Sequence, residues 1–378
     1  MYRKLKILFT IPNFDTAGSG IPLLKIAQNL DKNLFEPHIA CLHDRGELFK
    51  DVQKSGIKVH IIDMYKNARP IISMMKECYQ LSKVFKEINP NIIHSYNYSS
   101  DYTEPLAAKM AGIKWIYTKK NMSWQGPSYR GWKLRSWLAD GIICQNSDML
   151  REFFPKWGKA KLISIGVDID KYREQPENIN IRKFWGIPDD ARIIISVANL
   201  VPVKGIEKLI QAFELLASDF NDWILMIVGD DTTEYGAGLK ENLLKKQKLK
   251  DKIIFTGKQR NVRELLDISE IYVQPTLNKG RMEGAPIAIQ EAMANGKVVL
   301  GSNIPGIRDQ LVDFPQFLFN PGEVLDLNNK LVQYISNNIK QNIKIGEKFI
   351  NYAVSNYDLS SEKENLQQYY LILIKTTY

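Results

Sequence analysis

The sequence predicts an α/β protein with two doubly wound domains, each built on a parallel β-sheet between layers of helices. Short, continuously apolar segments alternate with amphipathic helical segments along most of the chain. This is the pattern of parallel strands that are buried on both faces. The alternation occurs twice, with one polar break between residues 167 and 192. A chain of 378 residues is also too long for one compact core and suits two domains.

The first half of the chain contains seven candidate strands separated by helical patterns. The strands are predicted at 6–11, 37–42, 59–63, 91–95, 114–118, 141–144 and 161–165. Helices are predicted at 20–30, 71–88 and 102–111. Each apolar run has four to six residues, which is typical of a strand and too short for a helix.

The second half repeats the scheme after a polar connection. Its strands are predicted at 192–197, 223–228, 252–256, 271–274 and 298–301, with helices at 205–218, 238–248, 262–266 and 287–295. Residues 168–191 are polar and contain Pro176 and Pro188, so we interpret them as the connection between domains. Residues 359–377 form a long helical pattern with no strand after it. The predicted domains are therefore 1–170 and 190–356, followed by a C-terminal helix in 357–378.

Composition restricts the classes of protein that fit. Hydrophobic residues are 44% and charged residues 25%, the balance of a soluble globular protein, and no apolar run reaches 18 residues. The N-terminus leads directly into a strand, and the three cysteines are widely spaced, so we expect a cytoplasmic protein with reduced thiols. The formal charge of +9 indicates an anionic partner, with a nucleotide, a phospholipid head group and a nucleic acid as open alternatives.

Two glutamates stand around the start of the helix predicted at 287–295. Glu283 lies in the preceding loop, and Glu291 lies within the helix. A helix N-terminus suits a diphosphate, so carboxylates beside it are better suited to accept hydrogen bonds from sugar or ribose hydroxyls. The helix-start amides are those of Ala285, Ile287 and Ala288, with Pro286 at the first helical position. The alternative is that Glu283 is a cap-region acid and Glu291 a solvated helix residue.

Further candidates follow other strands of the second domain. Lys204 comes after the first strand, where a cation can neutralise a departing diphosphate. An ordinary surface lysine is the alternative. The segments Val228-Gly-Asp-Asp231 and Phe255-Thr-Gly257-Lys258-Gln259-Arg260 follow the next two strands, where glycines allow close approach of a ligand.

Together these residues resemble the GT4-type retaining glycosyltransferases, which have the GT-B fold of two Rossmann-like domains facing a central cleft. The resemblance covers nearly the whole chain and is most specific from 196 to 319. The matching motifs are Glu283-x7-Glu291, Lys204-Gly205, Val228-Gly229-Asp230, Gly166-Val167-Asp168, Asn303-Ile-Pro-Gly306 and Phe317-Leu-Phe-Asn-Pro-Gly322.

The resemblance implies transfer of a sugar from a UDP- or GDP-sugar to a hydroxyl of a glycan or lipid-linked acceptor, in polysaccharide, lipopolysaccharide or capsule synthesis. It implies retention of anomeric configuration, no metal or other cofactor, and a last helix that crosses back to the N-terminal domain. Catalytic roles fall to Lys204, on the diphosphate, and to Glu283, on the donor sugar, while Glu291 binds the ribose. The predicted donor-binding residues are Gly18, Asn199, Gly229, Gly257, Lys258, Arg260, Gly284, Ala285, Pro286, Ile287, Ala288 and Glu291.

Two positions depart from the family pattern. Asn199 stands where an arginine commonly provides a second phosphate contact, and Arg260 or Arg281 is a candidate replacement. Asn121 stands near the place where many members have a histidine. His94, at a strand end, is the histidine placed to reach the cleft, and the predicted acceptor side consists of His94, Asn121 and Trp124.

Residues 105–139 contain seven basic side chains, no acidic one and four tryptophans: Trp115, Trp124, Trp132 and Trp137. Cations interleaved with tryptophan suit an anionic membrane surface or a lipid-linked acceptor. The alternative is that half of these tryptophans belong to the core. Peripheral contact with the inner face of the cell membrane is thus one open reading, and no nucleic-acid motif accompanies the patch.

Other functions remain as alternatives. One is another GT-B enzyme, such as a nucleotide-sugar epimerase or a phosphorylase, and another is a noncatalytic sugar- or membrane-binding protein with this fold. An NAD-dependent oxidoreductase is disfavoured, because Leu23 stands where the third glycine of the dinucleotide fingerprint would be. The pair Asp168 and Asp170, the candidate for a metal-binding DxD, is interpreted as a turn.

Overall fold

The computed structural model describes residues 4–15, 17–122, 124, 128–174, 180–246, 248–280 and 283–375. The chain forms two compact units. Unit 1 comprises residues 1–165 together with 359–378, and unit 2 comprises Gly166–Asp358. Each unit holds one parallel β-sheet with helices, as the alternation of apolar and amphipathic segments predicts.

Unit 1 has seven parallel strands among its described residues. They are β1 (Leu5–Thr10), β2 (Phe35–Cys41), β3 (Lys58–Ile61), β4 (Ile92–Ser95), β5 (Lys114–Lys119), β6 (Gly141–Cys144) and β7 (Ala160–Leu162), in the order β3-β2-β1-β4-β5-β6-β7. Its helices are α1 (Ala17–Asn29), α2 (Glu47–Lys54), α3 (Ile71–Ile88), α4 (Thr103–Ala111), α5 (Tyr129–Leu138), α6 (Ser147–Phe153) and α16 (Leu359–Lys375).

Unit 2 has six parallel strands among its described residues. They are β8 (Arg192–Val197), β9 (Trp223–Val228), β10 (Ile253–Phe255), β11 (Ile271–Gln274), β12 (Val298–Ser302) and β13 (Leu318–Phe319), in the order β10-β9-β8-β11-β12-β13. Its helices are α7 (Ile169–Arg173), α8 (Ile181–Phe184), α9 (Ile206–Leu216), α10 (Glu234–Leu244), α11 (Val262–Asp267), α12 (Ile287–Ala294), α13 (Ile307–Gln310), α14 (Val324–Ile335) and α15 (Ile339–Asn356).

Each sheet reverses its strand order beside its first strand. In unit 1 the first strand β1 lies between β2 and β4, and in unit 2 the first strand β8 lies between β9 and β11. The crevice outside the carboxyl ends of the strands at such a reversal is where open α/β sheets bind ligands. In unit 2 this places the loops that follow β8 and β11 at the ligand end of the sheet.

The polar stretch 168–191 belongs to unit 2, which differs from its interpretation as an interdomain connection. Asp168 accepts a hydrogen bond from the Lys171 amide at 3.3 Å and so caps α7, instead of forming a plain turn with Asp170. Four of its few apolar side chains are buried in the core of unit 2: Ile169, Tyr172, Ile181 and Ile187. A low density of aliphatic residues therefore did not mark a linker here, because short helices bury their few apolar residues efficiently.

Helix α16 packs within unit 1, as the resemblance implied. Leu366 and Tyr370 are buried in the same core as Phe9, Phe35 and Ile92. The ring centroids of Phe35 and Tyr370 lie 6.0 Å apart in an edge-on arrangement. Burial of large side chains such as these stabilises a helix by roughly 1.5 to 3 kcal/mol each. The core of unit 1 is thus completed by the far end of the chain.

Candidate active site

Lys204 stands at the ligand end of unit 2, directly after β8. A short 3₁₀ turn, Pro202–Lys204, follows the strand, and Gly205 then adopts a left-handed conformation with φ of 65° before α9 begins. A Cβ on Gly205 would lie 2.2 Å from the Pro275 carbonyl oxygen. Only glycine satisfies both the backbone angle and the close approach, so this residue fixes the path of the chain that carries Lys204.

Lys204 and Glu283 form an ion pair across the strand-order reversal of unit 2. The Lys204 ammonium donates to Glu283 Oε1, although 79 residues separate the two in sequence. Their side chains are only 18% and 20% exposed. Burial lowers the pKa of Lys204 to about 8. The two residues with predicted catalytic roles are therefore in direct contact.

The turn that carries Glu283 is braced by the loop after β12. Gly306 has a φ of 84°, and a Cβ there would lie 2.4 Å from the Gly284 carbonyl oxygen. The backbone of Gly306 is thereby packed against Glu283 and Gly284. This contact explains what the Asn303-Ile-Pro-Gly306 segment does: its last residue must be glycine to let the two loops meet.

Helix α12 begins next to this turn. Ile287 is the first helical residue, as predicted, and Pro286 occupies the N-cap rather than the first helical position. Ile287 and Ala288 are half-buried, and their amides belong to the first turn, where an α-helix leaves N–H groups without intrahelical acceptors. The helix start therefore offers amide donors and the positive end of a dipole near Glu283.

Glu291 is held by a tyrosine that the sequence analysis did not identify. The Tyr172 hydroxyl of α7 donates to Glu291 Oε1 at 2.6 Å. The Asn295 side-chain amide donates to the Tyr172 carbonyl oxygen at 3.1 Å and to Asp267 Oδ1 at 2.7 Å. Burial and the Glu291 carboxylate both raise the pKa of Tyr172, which therefore remains a proton donor. One oxygen of Glu291 is thus fixed by the protein.

The remaining predicted donor residues of unit 2 lie in loops at the same end of the sheet. Asn199 is exposed just after β8. The Gly229 amide donates to the Gly257 carbonyl oxygen at 3.1 Å, which ties the loops after β9 and β10 together. Lys258 and Arg260, in the second of these loops, are exposed. Arg281, one candidate for the missing phosphate contact, lies outside the described residues.

His94 is not available to an acceptor, contrary to the sequence-based expectation. It is fully buried in unit 1, where Nδ1 lies 2.7 Å from the Tyr370 hydroxyl and Nε2 lies 2.8 Å from Thr118 Oγ1. Burial lowers its pKa to about 3, so the imidazole is neutral at physiological pH. His94 does lie near the carboxyl end of β4, but its position in the sequence did not reveal that Tyr370 of α16 contacts it.

Asn121 and Trp124 follow β5 and take part in a packed cluster. The Lys119 ammonium donates to the Asn121 carbonyl oxygen at 2.5 Å and to its side-chain oxygen at 2.9 Å. The Trp124 ring stacks on those of Trp132 and Phe153, at centroid distances of 5.9 and 5.0 Å. Gly18 lies in the first turn of α1, after β1. These predicted residues all follow strands of unit 1.

The basic, tryptophan-rich stretch divides between core and surface. Trp115 and Trp132 are buried, and Arg135 is fully buried with its guanidinium 4.6 Å from the Trp115 ring centroid. Trp137, in contrast, is 70% exposed. It shares the outer side of α5 with four other exposed residues, Tyr129, Arg130, Lys133 and Leu134. We call these five residues the α5 face.

The described residues contain neither a candidate metal centre nor a candidate membrane-spanning helix. No group of three or more His, Cys, Asp or Glu side chains in that part of the chain could hold a metal ion. No described helix is long and apolar enough to cross a membrane. The three cysteines are buried and unpaired, and burial raises the pKa of Cys41 and Cys78 to about 11.

Two family profiles match the chain. The profile described as "Glycosyl transferases group 1" matches residues 177–354, and that described as "Glycosyltransferase Family 4" matches residues 17–171. The first corresponds to most of unit 2 and the second to most of unit 1.

Individual proteins are also similar to this chain. The UDP-Gal:alpha-D-GlcNAc-diphosphoundecaprenol alpha-1,3-galactosyltransferase of Escherichia coli is 25% identical over 281 residues, 70% of this chain and 71% of that protein. The capsular polysaccharide biosynthesis glycosyltransferase CapH of Staphylococcus aureus is 24% identical over 319 residues, covering 79% and 82%. The crystal structure of a glycosyltransferase from Rickettsia africae has the same fold, with a TM-score of 0.85 at 20% identity over 99% of this chain and 100% of that one.

Proposed function

Because the chain belongs to the GT4-type glycosyltransferase family and has its GT-B fold, we propose that it is a retaining enzyme that transfers a sugar from a UDP-sugar to a lipid-linked acceptor. The acceptor is an intermediate of cell-surface polysaccharide synthesis. Support for the donor and acceptor classes comes from the Escherichia coli relative, whose name specifies UDP-Gal and a diphosphoundecaprenol-linked sugar. The Staphylococcus aureus relative is named for capsular polysaccharide synthesis.

The observation that carries the proposal is the meeting of Lys204, Glu283 and the start of α12 at the strand-order reversal of unit 2. The β-phosphate of the donor lies against the Lys204 ammonium and the first amides of α12. These groups stabilise the negative charge that develops as the nucleoside diphosphate leaves. Glu283 accepts hydrogen bonds from hydroxyls of the donor sugar, and Glu291 accepts them from the ribose.

The transfer proceeds on one face of the sugar. The bond between the anomeric carbon and the β-phosphate oxygen breaks, and positive charge develops on the sugar ring. The acceptor hydroxyl forms its bond to the anomeric carbon from the same face, and its proton passes to the departing phosphate oxygen. Configuration is thereby retained without a protein nucleophile. Lys204 supplies the positive charge that this chemistry needs at the diphosphate, so the proposed reaction does not depend on a metal ion.

Contact with the membrane follows from the proposed acceptor. The α5 face carries two exposed cations, Arg130 and Lys133, beside the exposed rings of Tyr129 and Trp137, and the sequence of α5 contains no acidic residue. Cations bind anionic head groups, and amphipathic aromatic rings favour the interfacial region of a bilayer. We propose that the α5 face binds the membrane in which the acceptor lipid is held.

The test is release of nucleoside diphosphate from a panel of UDP-, GDP-, ADP- and dTDP-sugars, with and without an undecaprenyl-diphosphate-linked sugar. We expect release from one UDP-sugar that depends on Lys204 and Glu283, so Lys204→Ala and Glu283→Ala should each lower it at least about a hundredfold. Lys208→Ala, on the adjacent turn of α9, is the matched control and should retain the rate. Release equal to wild type in Lys204→Ala, or no release from any donor in the presence of acceptor, would contradict the proposal. The configuration of the product, determined by NMR, tests retention separately.

A further inference from the structure

The Lys204 ammonium and the Glu283 carboxylate neutralise one another. The ammonium donates to the carboxylate, and both side chains are about four-fifths buried. Under the proposed function these groups bind different parts of the donor, since the cation binds the diphosphate and the carboxylate binds the sugar. In the ion pair, the Lys204 ammonium that would bind the phosphate is therefore bound by the Glu283 carboxylate instead.

We propose that Glu283 is an internal competitor of the nucleoside diphosphate for Lys204, which makes the site discriminate between the intact donor and the spent nucleotide. The inference rests on the proposed function and adds a role in product release to Glu283. An intact donor presents sugar hydroxyls that donate to the Glu283 carboxylate, so the carboxylate is satisfied while the diphosphate takes its place at Lys204. A nucleoside diphosphate lacks the transferred sugar, and its ribose hydroxyls are bound by Glu291 in the proposed function, so nothing in it donates to Glu283.

The charges at the site determine that Glu283 weakens, rather than strengthens, binding of a nucleoside diphosphate. A nucleoside diphosphate brings negative charge beside a carboxylate that lies in ion-pair contact with Lys204. Two negative charges repel each other strongly in a partly buried site. Taking the Lys204 ammonium away from the largely buried Glu283 carboxylate is also unfavourable. Binding of the spent nucleotide must therefore overcome both the existing ion pair and the repulsion. Once the sugar has been transferred, Glu283 returns to Lys204 and favours departure of the diphosphate.

The geometry of the Glu283 turn makes such a return effective. Gly284, which follows Glu283, packs against Gly306, and a Cβ at Gly306 would lie 2.4 Å from the Gly284 carbonyl oxygen. Gly205, which follows Lys204, is fixed in the same way against the Pro275 carbonyl oxygen. Because a close backbone contact follows each of the two residues, we expect the ion pair to form and break by side-chain rotation, which is fast compared with typical enzyme turnover.

The experiment is a double-mutant cycle on UDP binding, measured by isothermal titration calorimetry with the full-length protein. Wild type, Glu283→Gln, Lys204→Ala and the double variant are compared, with Glu234→Gln as a control for loss of an acidic residue in unit 2. We expect Glu283→Gln to bind UDP about tenfold more tightly than wild type, and this gain to vanish in the Lys204→Ala background. The same Glu283→Gln substitution should weaken binding of the UDP-sugar identified in the release assay.

The outcomes separate the inference from the function on which it rests. Weaker UDP binding in Lys204→Ala, together with unchanged or weaker UDP binding in Glu283→Gln, would overturn the competition and leave the proposed function intact. Unchanged UDP binding in Lys204→Ala would instead contradict the role of Lys204 in the proposed function. Glu283→Asp retracts the carboxylate by one methylene and provides a second variant. It should also tighten UDP binding, and a failure to do so would count against the competition.

Discussion

Lys204 is largely buried beside a carboxylate, and its burial determines the direction in which its pKa shifts. Burial disfavours the ammonium and lowers its pKa to about 8, below the ordinary value of a lysine. The cation is thus present below about pH 8 and is lost as the pH rises above it. Any step that requires positive charge at the diphosphate inherits this dependence.

We therefore expect kcat/KM for the donor to fall as the pH rises through about 8, since this parameter reports ionisations of the free enzyme. An arginine keeps its charge in this range, so the residual activity of Lys204→Arg should lack the alkaline fall. The measurement is a pH–rate profile between pH 6 and pH 10 with Lys208→Arg as control. A flat wild-type profile would show that the charge of Lys204 is not required.

Tyr172 fixes one oxygen of Glu291, and its removal should weaken binding of the nucleotide. Loss of a hydrogen bond to a charged group typically costs about 1.5 to 3 kcal/mol, so we expect Tyr172→Phe to weaken UDP binding at least about tenfold. Tyr334→Phe, in the core of the same unit, is the matched control. Equal UDP affinity in Tyr172→Phe and wild type, with both proteins folded, would remove the positioning role.

The candidate site residues show what sequence can predict at the scale of single residues. The spacing of Glu283 and Glu291 and the placement of Lys204 after a strand pointed to one site, and the contact between Lys204 and Glu283 agrees with that grouping. Tyr172 carried no such signal, because its partner lies 119 residues away and the polar composition of the surrounding segment predicts a linker. His94 was misjudged because a residue covered by a distant helix cannot be recognised from its own neighbours.

At the scale of the elements, two glycines with the same φ angle allow the cost of a glycine-to-alanine change to be divided into backbone strain and steric contact. Gly205 and Gly186 both have a φ of 65°, but a Cβ at Gly186 would meet nothing within 4 Å. Gly186→Ala should cost about 1 to 2 kcal/mol of unfolding free energy through backbone strain alone. Gly205→Ala should cost more and should also lower donor turnover at least about tenfold, because the Pro275 carbonyl forces the backbone of the Lys204 turn to move.

These two variants are compared by thermal unfolding and by the donor-release assay. Equal activity in Gly205→Ala and Gly186→Ala would mean that the path of the Lys204 turn is not important for turnover. This holds whether both variants keep their activity or both lose it to the same extent, since a Cβ at Gly186 meets nothing within 4 Å.

The α5 face allows a direct test of membrane contact. The pair Lys133→Glu and Trp137→Ser removes one cation and the most exposed ring of this helix, so it should lower binding to phosphatidylglycerol vesicles several-fold at low salt. The pair Lys183→Glu and Phe184→Ser makes the same kind of change on α8, where Phe184 is 75% exposed, and should have little effect. Sedimentation with vesicles measures both. An equal loss for the two pairs would show non-specific attraction.

Elements with strong apolar runs could be predicted closely from sequence, whereas others could not. Strands such as Trp223–Val228 and Gly141–Cys144 have the predicted bounds, because every residue in them is buried. Strand β13 has two residues, too few to form a pattern. Helix α5 was not recognised, since its buried positions are filled in part by Arg135 and Ser136 rather than by aliphatic side chains.

At the scale of the whole molecule, the first unit is discontinuous in sequence. Tyr370→Ala would leave a cavity between α16 and the sheet, where Tyr370 is fully buried against His94 and Phe35. We expect a loss of about 3 to 5 kcal/mol, with faster amide hydrogen exchange in residues 4–165 and 359–375. Tyr334→Ala, at a buried position of α14, should affect residues 180–358 instead. Faster exchange in both units from either variant alone would contradict this division.

The position of α16 in the chain imposes an order on biosynthesis. All of unit 2 is translated between β7 and α16, so for that interval the nascent chain carries the sheet of unit 1 without the helix that shares a core with Phe9 and Ile92. Unit 2 is contiguous and can fold as soon as it leaves the ribosome. A ribosome that stalls after Asp358 therefore yields a protein with a complete unit 2 and an incomplete unit 1, whose exposed apolar face makes it a substrate for chaperones and proteases.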